Sequence, residues 1–290
     1  MGTDGGHPPR PRLPDVRLLV AGALALAAVA AILVFLLDTG SSQSLLPSTP
    51  VSFAAREVSG APGFRFVLRV SGVVGGQHFA ATTTGAIAQR PALDASLLTR
   101  TAGTSVATVL VYPYEYVQAR TAPGAWERID LRAVDSSLSV SSSPGAADPS
   151  DLVDLLRAAG SVVRVGGATV RGVATTRYHV VVELDRYRAA VPAAQRAAAG
   201  EAAAQLERLT GSRTLPIDVW IDARHRVRRL ALSISARCTK LGTIRESMTM
   251  DLFDYAFQAP VAAPPAHEVT DITHEVAASA SADLRTFGCP

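Results

Sequence analysis

The chain has 290 residues, a formal net charge of +3, 48% hydrophobic and 18% charged residues, and a mean hydropathy of +0.21. It is long enough for a sizeable core, too apolar for a disordered tail and too polar for a multi-span membrane protein. So small a charge, spread over scattered arginines, leaves no dense basic footprint and no expectation of a nucleic-acid partner, and two cysteines exclude a disulfide-dense scaffold.

Residues 1–17 carry Arg10, Arg12 and Arg17 and read as a cytoplasmic leader. Residues 18–37 are uncharged and apolar, spanning about 30 Å as a helix, the thickness of a bilayer's hydrocarbon core. Arginines before the run and Asp38 after it place the rest of the chain outside the cytoplasm, on a single-pass anchor at the cell membrane. A cleaved signal peptide is the alternative, although its apolar stretch is usually only about 7–15 residues. No cysteine lies near the end of the run, so a lipid-attachment signal is absent. Residues 38–50 are rich in Ser, Thr, Pro and Gly and read as a tether. A domain over 51–272 and a tail over 273–290 follow.

From Gly63 the apolar period becomes two: Phe64, Phe66, Leu68 and Val70 alternate with Arg65, Val67 and Arg69. Further strands are predicted over 78–88, 92–101, 105–111, 114–120 and 126–131, a meander with turns at Gly75-Gly76 and Pro123-Gly124. A helix is predicted from Asp148, with Leu152, Leu155 and Leu156 as its stripe and Gly160 as its stop. Strands over 162–165, 169–174 and 175–184 come next, then a helix over 193–209 ended by Gly211. Strands over 215–221, 227–237 and 244–255 close the domain, and a short helix is expected near 275–285. The class is α+β, a curved antiparallel sheet of about 10–11 strands with two or three helices packed on it, preceded by one transmembrane helix.

Catalytic signatures are missing. There is no G-x-S-x-G, no P-loop, no G-x-G-x-x-G and no H-x-x-x-H pair. The segment from His267-Glu268 to His274-Glu275 reads as a solvated tail, so no metal site and no cofactor is expected. Asp218, Asp222, Asp251 and Asp254 read as surface carboxylates, and Trp126 and Trp220 as core or interface aromatics. Outside the cell, Cys238 and Cys289 favour a disulfide pinning the tail, worth roughly 4 kcal/mol for a loop of about 50 residues.

What remains is an apolar face. Phe64, Phe66, Leu68, Tyr178, Val180, Val182, Leu230, Leu232, Ile234, Met248, Met250 and Leu252 share one side if the strands pair in series. It is either a closed core or the wall of a ligand cavity, in which methionines supply adaptable contacts. Arg65, Arg69 and Arg177 near strand ends are candidates for an anionic headgroup, against the plainer reading of exposed strand arginines.

Residues 170–184, VRGVATTRYHVVVEL, then Leu215-Pro216-Ile217-Asp218-Val219-Trp220-Ile221-Asp222, Val227-Arg228-Arg229-Leu230 and MTMDLFDY over 248–255 resemble the actinobacterial LppX/LprG-type lipoproteins. Tyr116-Val117 and Gly124-Ala125-Trp126-Glu127-Arg128-Ile129-Asp130-Leu131 are similar to that family's middle strands, and the match runs in order over about residues 60–272. The resemblance implies a LolA-like half-barrel around a hydrophobic cavity for acyl chains, and a task of carrying or presenting lipid in the cell envelope. It supplies no catalytic residues, so a non-enzymatic protein is expected. The expected partners are a lipid or acylated ligand, the membrane and an envelope protein. The family's lipobox cysteine is replaced here by the apolar segment, which favours a tethered acceptor over a free shuttle. The alternative is an envelope interaction or sensor module with a closed core.

Overall fold

Thr49-Pro50 starts the first helix, α1 (Pro50–Gly60). The Thr49 hydroxyl accepts from the Ser52 backbone N–H at 3.2 Å, and the Ser52 hydroxyl accepts from the Thr49 N–H at 3.1 Å. This is a capping box with serine in the usual Glu/Gln place, and Pro50 at the first helical position loses no hydrogen bond. Val51, Ala54, Ala55 and Val58, spaced as one helical stripe, are 0–1% exposed. The sequence reading ended the tether at residue 50 and expected no helix here. The computed structural model describes residues 49–88, 94–118, 124–134, 159–190, 196–238, 242–257 and 261–280.

A meander follows: β1 (Gly63–Val74), β2 (Gln77–Ala88), β3 (Asp94–Thr101), β4 (Thr104–Val111), β5 (Tyr114–Gln118) and β6 (Trp126–Asp130). The β1–β2 hairpin turns on Gly75-Gly76, with φ of +58° and +84°; two positive φ values match the twist of the strands and call for glycine. A short α2 (Leu131–Val134) ends this half. The second half comprises β7 (Ala159–Val170), β8 (Val173–Glu183), α3 (Leu184–Ala190), α4 (Arg196–Thr210), β9 (Thr214–Asp222), β10 (Val227–Cys238) and β11 (Gly242–Phe253). The chain closes with a 3-10 turn, β12 (Val269–Asp271) and α5 (Thr273–Ala280).

All the strands form one open, curved, 12-stranded sheet in the order β12-β6-β5-β4-β3-β2-β1-β11-β10-β9-β8-β7. The two meanders meet at the β1–β11 pair, where Phe66 lies opposite Leu252 and Leu68 opposite Met250. Among the described strands every pairing is antiparallel except β12 with β6. Helices α1, α3 and α4 lie against β8–β10, while α2 and α5 sit at β6.

Several expectations change. The strand expected over 162–165 and the start of the one expected over 169–174 are one strand, β7, whose register shifts between Arg164 and Gly166, and residues 173–174 open β8. The turn falls instead at Arg171-Gly172, both with positive φ. Gly160, expected as a helix stop, stands inside β7, and residues 148–158 of the expected helix lie outside the described residues. Of the helix expected over 193–209, residues 193–195 lie outside the described residues and the rest is α4, which the unforeseen α3 precedes. The segment around 267–275 is held, since β12 pairs with β6, Arg128 binds Asp271 at 2.6 Å and the Asp130 N–H donates to Thr273 Oγ1 at 2.8 Å. Hydrogen bonds from the Thr273 hydroxyl, Arg128 and the Thr273 backbone N–H pull the Asp271 carboxyl down to about 2.

No helix among the described residues is long and apolar enough to cross a membrane. The leader, the apolar run over 18–37 and nearly all of the tether lie outside the described residues, as does Cys289.

Candidate functional site

Strand register divides the sheet into two faces. On the inner face one row runs Tyr178, Val219, Leu230, Met250, Leu68, Thr83, Thr99, Val106. A second runs Leu252, Phe66, Gly85, Leu97, Thr108, Val117. The residues expected to share a face do so: Phe64, Phe66, Leu68, Val180, Val182, Leu230, Met248, Met250 and Leu252 are buried, and Tyr178, Leu232 and Ile234 pack against them half-buried. Their burial has a cause that periodicity alone did not show. The α1 stripe belongs to the same cluster, so this part of the face is packed core.

Across β2–β4 the inner face changes character. Leucines and methionines give way to Thr83, Thr99 and Thr108 beside Phe79, Leu97, Val106 and Leu110. Thr83 and Thr99 are buried and share a hydrogen bond of 2.9 Å, which satisfies both hydroxyls. Gly85 lies where a Cβ would come within 2.7 Å of Leu97 and of the Phe66 ring, so the close approach requires glycine. Phe79, Leu97, Val106, Leu110 and Val117 are half-buried, and α1, α3 and α4 lie on the other half of the sheet. Sequence reasoning missed this half because threonine and alanine blur the alternation there. It also missed Leu215, Ile217, Val219 and Ile221 of β9, which complete the apolar core.

Two carboxyls on this inner face are raised by burial. Glu246 on β11 lies opposite Gly72 of β1 and Ile234 of β10, is 9% exposed, and has one oxygen, Oε1, buried without a hydrogen-bond partner. Burial pushes its carboxyl up to about 7. Glu115 on β5 lies opposite Leu110 and Ile129, and burial raises its carboxyl too. From β11 to β5 the inner-face positions carry no Arg, Lys or His.

The arginines are on the other side. Arg65, Arg69 and Arg177 occupy outer-face positions and pair with Asp254 at 3.5 Å, Asp251 at 3.4 Å and Asp218 at 2.7 Å. They are therefore not at the apolar face, and the headgroup role considered for them falls away. Asp251, 2% exposed, also accepts from Arg229 Nε at 2.5 Å and Nη2 at 3.0 Å. Burial would raise its carboxyl, but Arg229 and Arg69 outweigh burial and hold it below the usual range. Asp222, 7% exposed, accepts from the Arg224 and Arg226 N–H groups at 2.9 Å each and from Arg228 Nε at 2.8 Å, which builds the β9–β10 turn. Thus Asp222 and Asp251, read as surface carboxylates, are buried structural anchors. Trp220 lies half-buried on the outer face with Arg177 at 5.1 Å and Arg229 at 5.9 Å from its ring; half-buried Trp126 pairs with Val269 and Gln118.

No family model matches the chain, and no curated protein matches it either. Solved structures similar to it include LprF from Mycobacterium bovis, at 11% identity and a TM-score of 0.49, covering 74% of this chain and 95% of that one. The Mycobacterium tuberculosis lipoprotein LppX matches at 16% identity and a TM-score of 0.44, covering 74% of this chain and 100% of that one. A LolA superfamily protein from Nitrosomonas europaea matches at 8% identity and a TM-score of 0.29, covering 75% and 96%. The LppX/LprG-type, LolA-like resemblance read from the strand motifs is met among solved structures.

Among the described residues no group of three or more His, Cys, Asp or Glu could hold a metal ion. His179 Nδ1 lies 3.0 Å from Asp218 Oδ1 on the outer face, but Arg177 binds the same carboxylate. That makes an ion-pair cluster, with no hydroxyl or thiol bonded to the imidazole as nucleophilic catalysis requires.

Proposed function

We propose that this protein binds lipid outside the cytoplasm, without enzymatic chemistry, while residues 18–37 hold it at the cell membrane. Acyl chains lie against the inner face of the sheet, and the protein carries or presents them in the envelope. One observation carries this reading: the inner face continues beyond α1, α3 and α4 onto β2–β5, where Phe79, Leu97, Val106 and Leu110 remain half-buried. An acyl chain laid there gains about 0.8 kcal/mol per buried CH₂. The packed cluster from Phe64 to Leu252 forms the adjoining floor, and its methionines, Met248 and Met250, let that floor adjust to chain shape. The resemblance of the strand motifs to LppX/LprG-type lipoproteins supports the same reading.

A second reading keeps one observation of its own. Because the α1 stripe already fills the face over β9 and β10, the sheet can serve as a closed core for a module that binds an envelope protein. Residues 45–290, expressed in a lipid-containing host under oxidising conditions and purified without detergent, separate the two by native mass spectrometry and solvent extraction. Lipid at near one per chain is the expected result. No adduct and no uptake of a fluorescent fatty acid would select the interaction module.

A further inference from the structure

Glu246 is out of place for a core residue. It occupies an inner-face position on β11, between Met248 and Ile244, and its cross-strand neighbours are Gly72 and Ile234. The flanking inner-face positions, Val70, Val74, Leu232 and Ala236, are apolar. The Phe79 ring lies over Gly72, 2.8 Å from where a Cβ would sit, and walls the same end of the face. No arginine, lysine or histidine stands at any of these positions, and Oε1 has no donor. An unsatisfied buried carboxyl costs stability and contributes nothing to packing. A leucine would fit the pattern of its strand better.

We infer that Glu246 is the polar anchor of the lipid site, hydrogen-bonding a hydroxyl of an uncharged lipid whose acyl chain lies along the inner face toward β2–β5. This rests on the lipid-binding reading above and gives it a headgroup chemistry. Burial pushes the carboxyl up to about 7, so a protonated form is well populated near neutral pH, and that form both donates to and accepts from a hydroxyl without a counter-charge. An anionic headgroup would meet no Arg, Lys or His at the inner-face positions from β11 to β5, and the ionised fraction of the carboxyl would repel it. The outer-face arginines cannot compensate, because strand alternation puts them across the sheet.

The test uses the full chain in phosphatidylcholine nanodiscs and two photo-activatable probes with the same diazirine-bearing acyl chain, a monoacylglycerol and a methyl ester. Cross-linked peptides are located by mass spectrometry. In the natural sequence the monoacylglycerol should label inner-face peptides about tenfold more than the ester, the discrimination of roughly one buried hydrogen bond. Glu246→Leu should label equally with both probes, and Glu246→Gln, which keeps a donor and an acceptor, should retain most of the preference. Glu246→Leu removes a desolvated carboxyl, so the variant should melt no lower than the parent, which keeps loss of fold apart from loss of anchoring. A preference unchanged in Glu246→Leu overturns the anchor while leaving lipid binding intact. Absence of inner-face labelling by either probe in the natural sequence overturns the lipid-binding reading, and the anchor with it.

Discussion

At the scale of single residues, three buried acids pull stability in two opposite directions with pH. Asp251 and Asp222 are held below the ordinary carboxylate range: burial opposes this, but Arg229 and Arg69 in one case, and the Arg226 and Arg224 backbone N–H groups with the Arg228 side chain in the other, outweigh it. A carboxyl depressed in the folded state stabilises above its unfolded pKa of about 4, and that stabilisation is lost as pH falls through the lower folded value. Asp251→Asn should therefore cost about 2 kcal/mol at neutral pH, read from a denaturant midpoint, and the cost should shrink in acid. Glu246 has the opposite sign. Its folded value of about 7 lies above the unfolded one, so its burial costs nothing in acid and the penalty grows as pH rises from about 4 to about 7. The full penalty is on the order of 3 kcal/mol. Glu246→Gln should flatten the fall in melting temperature between pH 5 and pH 8, and a slope unchanged by that substitution would place the titration elsewhere.

At the scale of elements, α1 shows how a helix hides in a sequence. Thr49-Pro50 belongs by composition to the Ser/Thr/Pro tether, yet those residue types also begin helices. Thr49→Ala should lower stability by about 1 kcal/mol in thermal or chemical melts, since it removes the hydroxyl that caps Ser52. The strands of the apolar half were legible because Phe, Leu, Val and Met alternate with Arg, Ser and Asp, as at Phe66-Val67-Leu68-Arg69. The β7–β8 boundary was not, since Gly166-Gly167 looks like a turn but only shifts the register, while Arg171-Gly172 makes the turn. Nor could periodicity separate core from site. Phe66 and Val106 share a face, and only the positions of α1, α3 and α4 show that one is roofed by helices and the other lies beyond them. The parallel β12–β6 pair left almost no signal, because three residues are too few to show a period.

At the scale of the whole molecule, the sheet's two halves have different work. The half from β7 to β11 carries α1, α3 and α4 and most of the buried apolar side chains, so substitutions there act first on folding: Met250→Ala, at 5% exposure, should cost about 2–5 kcal/mol. The half from β2 to β5 buries less, so a charge there can be solvated without unfolding the chain. Val106→Glu provides the contrast. Val106 is half-buried on β4, facing Thr99, and lies on the row that runs from Leu68 through Thr83 and Thr99 away from the covered core. A glutamate there should leave the melting temperature within a few degrees of the parent while reducing lipid recovered by solvent extraction by about tenfold, because an acyl chain crossing that row would have to desolvate the new carboxylate. The same comparison made with Met250→Ala should give the reverse, a large loss of stability with lipid still bound by the fraction that folds. If both substitutions changed stability alone, the β2–β5 face would be ordinary core, and the search for a ligand would pass from lipids to an envelope protein.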